Sequence, residues 1–228
     1  MPIAESSSTS DLRTRLLHLL ATHSFRLGDF TLASGQRSDY YIDCRITTLH
    51  AEGGRLSGLL LYELIREHVP SAVAVGGLTM GADPLVSNTA SASAWAAADH
   101  AETLEISADL GLDPDPDPEA PQLLHGFLVR KSEKTHGAGR RIEGFLQPGA
   151  PVVILDDVCT TGGSTVAAIE AARDAGMHVA GVLCLVDREQ GGRVRIEAVA
   201  NGVPFLSLFT AAHVRTAHIH LHGSTPNT

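Results

Sequence analysis

The chain has 228 residues and a formal net charge of −9, from 17 Lys and Arg against 26 Asp and Glu, which argues against a general nucleic-acid or acidic-membrane surface. Hydrophobic residues make up 43 % of it, enough to bury a full core in one domain spanning 1–228, and no apolar run approaches the ~20 residues a bilayer span needs. Cys44, Cys159 and Cys184 are too widely spaced, and odd in number, to form a disulfide framework or a zinc site. With an N-terminus lacking the charged and apolar regions of a signal peptide, they predict a reducing cytoplasm.

Residues 1–9 are polar and are expected to be disordered. Ser10 is placed to cap a helix reaching about His23, with Leu12, Leu16, Leu19 and Leu20 on one stripe. The stretch F-T-L-A-S-G-Q-R-S-D-Y-Y-I-D then reads as a surface hairpin: a strand at Phe30–Leu32, a turn at Ser34-Gly35, and a strand at Tyr40–Asp43. A helix from about Gly54 to His68 turns Leu56, Leu59, Leu60 and Leu64 inward.

Val73–Val75 is the first buried strand and runs into G-G-L-T-M-G-A-D-P. Glycines 76, 77 and 81 let backbone approach a ligand closely there, but the spacing is not that of a dinucleotide loop. Ser87–Ala101 is Ala/Ser-rich and predicts a helix carrying Trp95. D-P-D-P-D-P-E-A-P after it predicts a stiff, solvated loop.

Gly126–Val129 resumes as a strand and leads into R-K-S-E-K-T-H-G-A-G-R-R. Among fifteen arginines the chain has two lysines, Lys131 and Lys134, and both lie here beside Arg130, His136, Arg140 and Arg141. A compact ammonium differs chemically from a guanidinium fork. A basic loop hinged by Gly137 and Gly139 is what a site releasing pyrophosphate would use as a lid.

The string the chain is organised around is P-V-V-I-L-D-D-V-C-T-T-G-G-S-T, residues 151–165. Val152–Leu155 reads as a strand buried on both faces, and Asp156 and Asp157 sit where it would leave the sheet. Thr160–Thr165 is a hydroxyl- and glycine-rich turn opening a helix, a setting whose backbone N–H groups and hydroxyls suit a phosphate. A Walker loop is excluded because no Lys precedes the Ser/Thr. Two carboxylates beside a phosphate cradle make sense if they face another part of the ligand, such as ribose hydroxyls or a metal-bound sugar.

Val179–Val186 is a further buried strand, and Arg188 stands just past its carboxyl end, where a guanidinium suits bidentate capture of a planar carboxylate. Val203–Phe209 closes the strands. In the tail, H-I-H-L-H at 218–222 is read as a strand placing alternate histidines on one face, with no acidic or Cys partner near to complete a metal site.

The 151–165 string closely resembles the phosphoribosyl pyrophosphate (PRPP) motif of type I phosphoribosyltransferases. Within that group, F-T-L-x-S-G-x-x-S-x-Y-Y-I-D, R-K-x-x-K-x-H-G and D-R-x-x-G-G resemble segments of the orotate phosphoribosyltransferases. The resemblance implies an α/β fold: a mostly parallel sheet with flanking helices and a small N-terminal hood over 24–45. It also makes 99–122 longer than usual, a surface insertion, and leaves 211–228 as a tail. Many orotate enzymes carry Lys where this chain has Ala33.

By the same resemblance PRPP is held by Arg130, Lys131, Lys134, His136, Asp156 and Asp157 and by the loop Val158, Cys159, Thr160, Thr161, Gly162, Gly163 and Ser164. Lys134, Asp156 and Asp157 are catalytic, and orotate meets Thr160, Arg188 and Tyr41. The G-G…G-A-x-P loop lies near the pyrophosphate. Mg²⁺ is held mainly through PRPP oxygens, with no direct protein metal site. The basic loop reaches a partner's site, which implies a homodimer. The expected reaction gives orotidine 5′-monophosphate and pyrophosphate from orotate and PRPP, in pyrimidine (UMP) biosynthesis. The alternatives are transfer to another base, which the hairpin and Arg188 argue against, and a PRPP-sensing regulator, for which no basic face or helix-turn-helix is evident.

Overall fold

The computed structural model describes residues 9–31, 37–110, 120–131 and 141–223. The expected Ser34-Gly35 turn, Ala33, Lys134, His136, the loop glycines 137 and 139, residues 1–8 and most of the Asp-Pro run lie outside them. A six-stranded sheet has the order β5-β4-β3-β6-β7-β8: β3 (Ala74–Leu78), β4 (His125–Val129), β5 (Ile142–Gly144), β6 (Pro151–Cys159), β7 (His178–Asp187) and β8 (Phe205–Thr210). All neighbours are parallel except β4 and β5. Successive residues of β6 alternate between faces. Val153 and Leu155 pack in the core with α1 (Thr9–Leu19), α3 (Ala51–His68), α4 (Asp83–Asp109) and α7 (Ala211–His222). Val152 and Ile154 pack with α5 (Gly163–Asp174) and α6 (Gly192–Ala200).

From β3 the chain crosses to β4 on one side, and from β6 to β7 on the other, so the strand order reverses between β3 and β6. A parallel sheet opens a ligand crevice outside the carboxyl ends of such a pair. Over it stands a separate antiparallel hairpin of β1 (Phe25–Thr31) and β2 (Arg37–Ile42), the expected hood. Its first strand begins earlier than the sequence predicts, at Phe25. An extra residue between Leu27 and Phe30 shifts the register there, and that bulge breaks the alternation by which strands are recognised.

Other boundaries moved for identifiable reasons. The first helix ends at Leu19 and widens into a π turn over Leu20–Ser24. α3 starts at Ala51 because the His50 side chain accepts the Gly53 N–H, a cap outside the usual Ser/Thr/Asp/Asn set. α4 begins at Asp83, with Pro84 in its first turn, and runs past Ala101 to Asp109, into the stretch read as holding a surface insertion. Nothing in it beyond Ser93 is buried. The reading of 218–222 as a strand is wrong. Those residues end α7, opened by a capping box of Thr210 with His213, so His218 is buried while His220 is exposed.

Candidate active site

A cleft of about 790 Å³ opens at the carboxyl ends of β3 and β6. Its floor is the acidic pair, and β6 extends through both residues: Asp156 still pairs with Cys184 of β7. Because neighbours on a strand point to opposite faces, the two carboxylates meet different surroundings. Asp156 is 7 % exposed and accepts a short hydrogen bond from the Thr165 hydroxyl on the first turn of α5. Burial pushes its pKa up to about 7, against the pull of that hydroxyl and with the help of the Asp157 charge. Asp157 is half-buried. Burial raises its pKa too, while the Val158 backbone N–H, its own N–H and the Arg45 charge oppose the rise.

On the Asp157 side lie the loop after β3 and the short helix α2 (Arg45–Thr48). A Cβ on Gly81 would meet the Asp157 carboxylate, so glycine lets the loop approach it without pushing that carboxylate aside. The preceding Thr79–Met80 peptide bond is cis, and Thr79, Met80 and Gly81 all line the cleft. Arg45 grips Asp43 through Nε at 2.9 Å and a terminal nitrogen at 2.7 Å, which holds the Asp43 carboxyl below its usual range. Both residues line the cleft.

On the far side of the floor, Gly162 takes a left-handed conformation (φ 73°) as N-cap of α5. The first N–H groups of that helix have no intrahelical acceptor, and Thr160 and Ser164 face the cleft around them. Thr161, Gly162 and Gly163 form the turn behind, and the Thr161 carbonyl accepts from Arg195 at 3.5 Å. The Cys159 side chain points the other way, fully buried against α6, and burial pushes its thiol up to about 12. Any contact from Cys159 to a ligand is therefore through its backbone.

Arg130 and Lys131, at the end of β4, line the cleft opposite the floor, with Arg130 3.4 Å from Glu143 of β5. Under the hood stands Arg188, only 6 % exposed. Its guanidinium donates to Ser38 Oγ at 3.2 Å and to the Tyr40 hydroxyl at 3.4 Å. Tyr41 lines the cleft beside it. The fold thus brings Tyr41, Arg130, Lys131, Asp156, Asp157, Val158, Thr160, Ser164 and Arg188 around one cleft. Sequence reasoning missed Thr165, Arg45, Asp43, Ser38 and Tyr40, although each lies inside or beside a motif it had singled out.

A parallel sheet reversing between β3 and β6, an acidic pair over a glycine turn, and a hood above them define a type I phosphoribosyltransferase. No family model matches the chain. It is 39 % identical over 215 residues to the orotate phosphoribosyltransferase of Synechocystis sp., covering 94 % of each. It is 40 % identical over 200 residues to that of Aquifex aeolicus, covering 86 % of this chain and 94 % of that one. The fold resembles a crystal structure of the Mycobacterium tuberculosis H37Rv orotate phosphoribosyltransferase in complex with PRPP, with a TM-score of 0.63 at 30 % identity, covering 90 % of this chain and 99 % of that one. The chain belongs to the orotate phosphoribosyltransferases, pentosyltransferases that move ribose 5-phosphate from PRPP to orotate.

Proposed function

We propose that the cleft performs this transfer by keeping its charges apart. Breaking the bond at the anomeric carbon puts positive charge on the ribose and negative charge on the departing pyrophosphate. Asp156 and Asp157 are assigned to the ribose side, where preorganised carboxylates stabilise the developing cation. The loop Val158–Ser164 takes the 5-phosphate on the first turn of α5. Arg130, Lys131, Lys134 and His136 take the pyrophosphate as a lid, of which the last two lie outside the described residues. Orotate lies under the hood against Tyr41 and Thr160, its carboxylate on Arg188.

The chemistry fits Mg²⁺, which binds through substrate phosphates. Among the described residues no group of three or more His, Cys, Asp or Glu could hold a metal ion by itself. The ion is assigned mainly to PRPP oxygens, with no direct protein ligand, and Asp156 and Asp157 are left to the ribose. When bound it neutralises charge on the leaving pyrophosphate. A homodimer in which each lid serves the partner's site is supported by an exposed stripe on α4, with Ser87, Ser91, Ala94, Trp95 and Ala98 at helical spacing. Leu49, 72 % exposed, and Met80, 65 % exposed, add apolar surface beside the start of that helix. A reducing, cytoplasmic setting is supported by three free, buried cysteines. No helix is long and apolar enough to cross a membrane among the described residues.

The observation that carries the substrate assignment is a buried guanidinium at the cleft wall with no carboxylate of its own among the described residues. Its test is Arg188→Ala in an assay following loss of orotate absorbance with PRPP and Mg²⁺. Leaving the substrate carboxylate unpaired costs roughly 2–4 kcal/mol, so the orotate KM should rise far more than the PRPP KM. Equal weakening of both substrates would remove the assignment.

A further inference from the structure

Arg188 is held in an unusual way. A buried cation is ordinarily paired with a carboxylate, since leaving it unpaired is costly. Among the described residues Arg188 makes no ion pair. The adjacent carboxylate is already taken: Asp187, itself buried, accepts from Arg193 at 3.3 Å and from the Glu189 N–H at 2.8 Å. What holds the Arg188 guanidinium is neutral and comes from the hood. The Tyr40 ring lies under it, 4.6 Å from centroid to the guanidinium carbon, while the Tyr40 hydroxyl and Ser38 Oγ each accept one of its N–H bonds. Tyr40 is backed in turn by Phe25, stacked at 5.4 Å and 16°, and Phe25 by His218 of α7 at 5.0 Å. Tyr41 lines the cleft, whereas Tyr40 and Ser38 do not.

From this we infer that Tyr40 and Ser38 are positioning residues for orotate recognition: they fix the plane of the Arg188 guanidinium and leave its remaining N–H groups for a planar carboxylate. The inference rests on the reading that Arg188 receives that carboxylate. Two neutral acceptors and an aromatic face orient a cation without neutralising it. A carboxylate in their place would satisfy Arg188 internally and compete with the substrate. A guanidinium fork pairs bidentately only when its plane is set. Freed from Tyr40, the long side chain would have to be ordered again at each binding event, and that loss falls on orotate affinity.

The experiment is a double-mutant cycle in the forward assay, measuring the KM of each substrate and kcat for Tyr40→Leu, Tyr40→Phe, Ser38→Ala, Arg188→Ala and Arg188→Ala/Tyr40→Leu. Tyr40→Leu is expected to raise the orotate KM about tenfold while the PRPP KM and kcat stay within about twofold. Tyr40→Phe, which keeps the stack, should recover most of that loss, and Ser38→Ala should raise the orotate KM about threefold. On the Arg188→Ala background, Tyr40→Leu should add nothing, because it acts through the missing group. Independent, additive effects would overturn the inference, as would a Tyr40→Leu defect shared equally by both substrates or no defect at all. If Arg188→Ala itself spares orotate, the underlying reading of Arg188 fails and the inference falls with it. A selective Arg188→Ala defect without one in Tyr40→Leu sinks the positioning role alone.

Discussion

Thr165 donates its hydroxyl to Asp156 from the first turn of α5, so one member of the acidic pair is tied to the helix that also presents the phosphate loop. Asp157, on the opposite face of β6, looks instead toward Gly81 and the Arg45–Asp43 pair. The two carboxylates are adjacent in sequence and inequivalent in chemistry. Asp156 is the one carried far from its ordinary range.

That inequivalence predicts a pH-dependent stability. Burial raises the Asp156 pKa from the ordinary 3.8 of an aspartate to about 7 in the ligand-free protein. A raised folded-state pKa gives stability that is full below the unfolded value and lost as pH rises through the folded one. Ionising Asp156 between pH 5 and 8 should thus cost on the order of 2–3 kcal/mol. Asp156→Asn, which does not titrate, should gain stability relative to the parent across that range in denaturant melts. Parallel profiles for the two proteins would show that Asp156 does not titrate there.

Thr165→Val keeps the bulk of the side chain and removes the hydroxyl. Since that hydroxyl stabilises the ionised carboxylate, its loss should raise the Asp156 pKa further. In a pH profile of kcat/KM for PRPP, the acid limb should move to higher pH by about one unit. An unmoved limb would mean that another group sets it.

Much of this cleft's lining is legible in the sequence alone. The β-branched run ending in two Asp and a T-G-G-S-T turn can be satisfied in few ways, and Gly81 and Arg188 were placed by the rule that ligands gather past strand ends. What was hidden depends on partners distant in sequence. Nothing near Arg188 announces that Ser38 and Tyr40 accept from it, about 150 residues away. Arg45 escaped notice because its bond to Asp43 looks, in sequence, like any charged pair two residues apart. The tail misled for a related reason: histidines at 218, 220 and 222 satisfy a period of two, while His218 and His222 also lie one helical turn apart.

The lid assignment predicts complementation between subunits. Lys134→Ala and Asp156→Ala/Asp157→Ala should each be nearly inactive as homodimers, since removing a preorganised charge contact costs about 10²–10³ in rate. If lids act in trans, every hybrid dimer has one wholly intact site. Free subunit exchange makes about half the dimers hybrids, so about a quarter of parental activity should return. Confirmed hybrids without recovery would place each lid over its own chain's cleft.

If the acidic floor of the cleft acts on the reacting ribose, as proposed, it is not there to hold the fold. Asp157→Asn tests this most directly, because the substitution keeps the shape of the side chain and removes its charge. With saturating orotate, PRPP and Mg²⁺, kcat should fall by about 10²–10³, while the melting temperature stays within a few degrees of the parent. A kcat within a few-fold of the parent, or a collapse of stability that accounts for the lost activity, would contradict it.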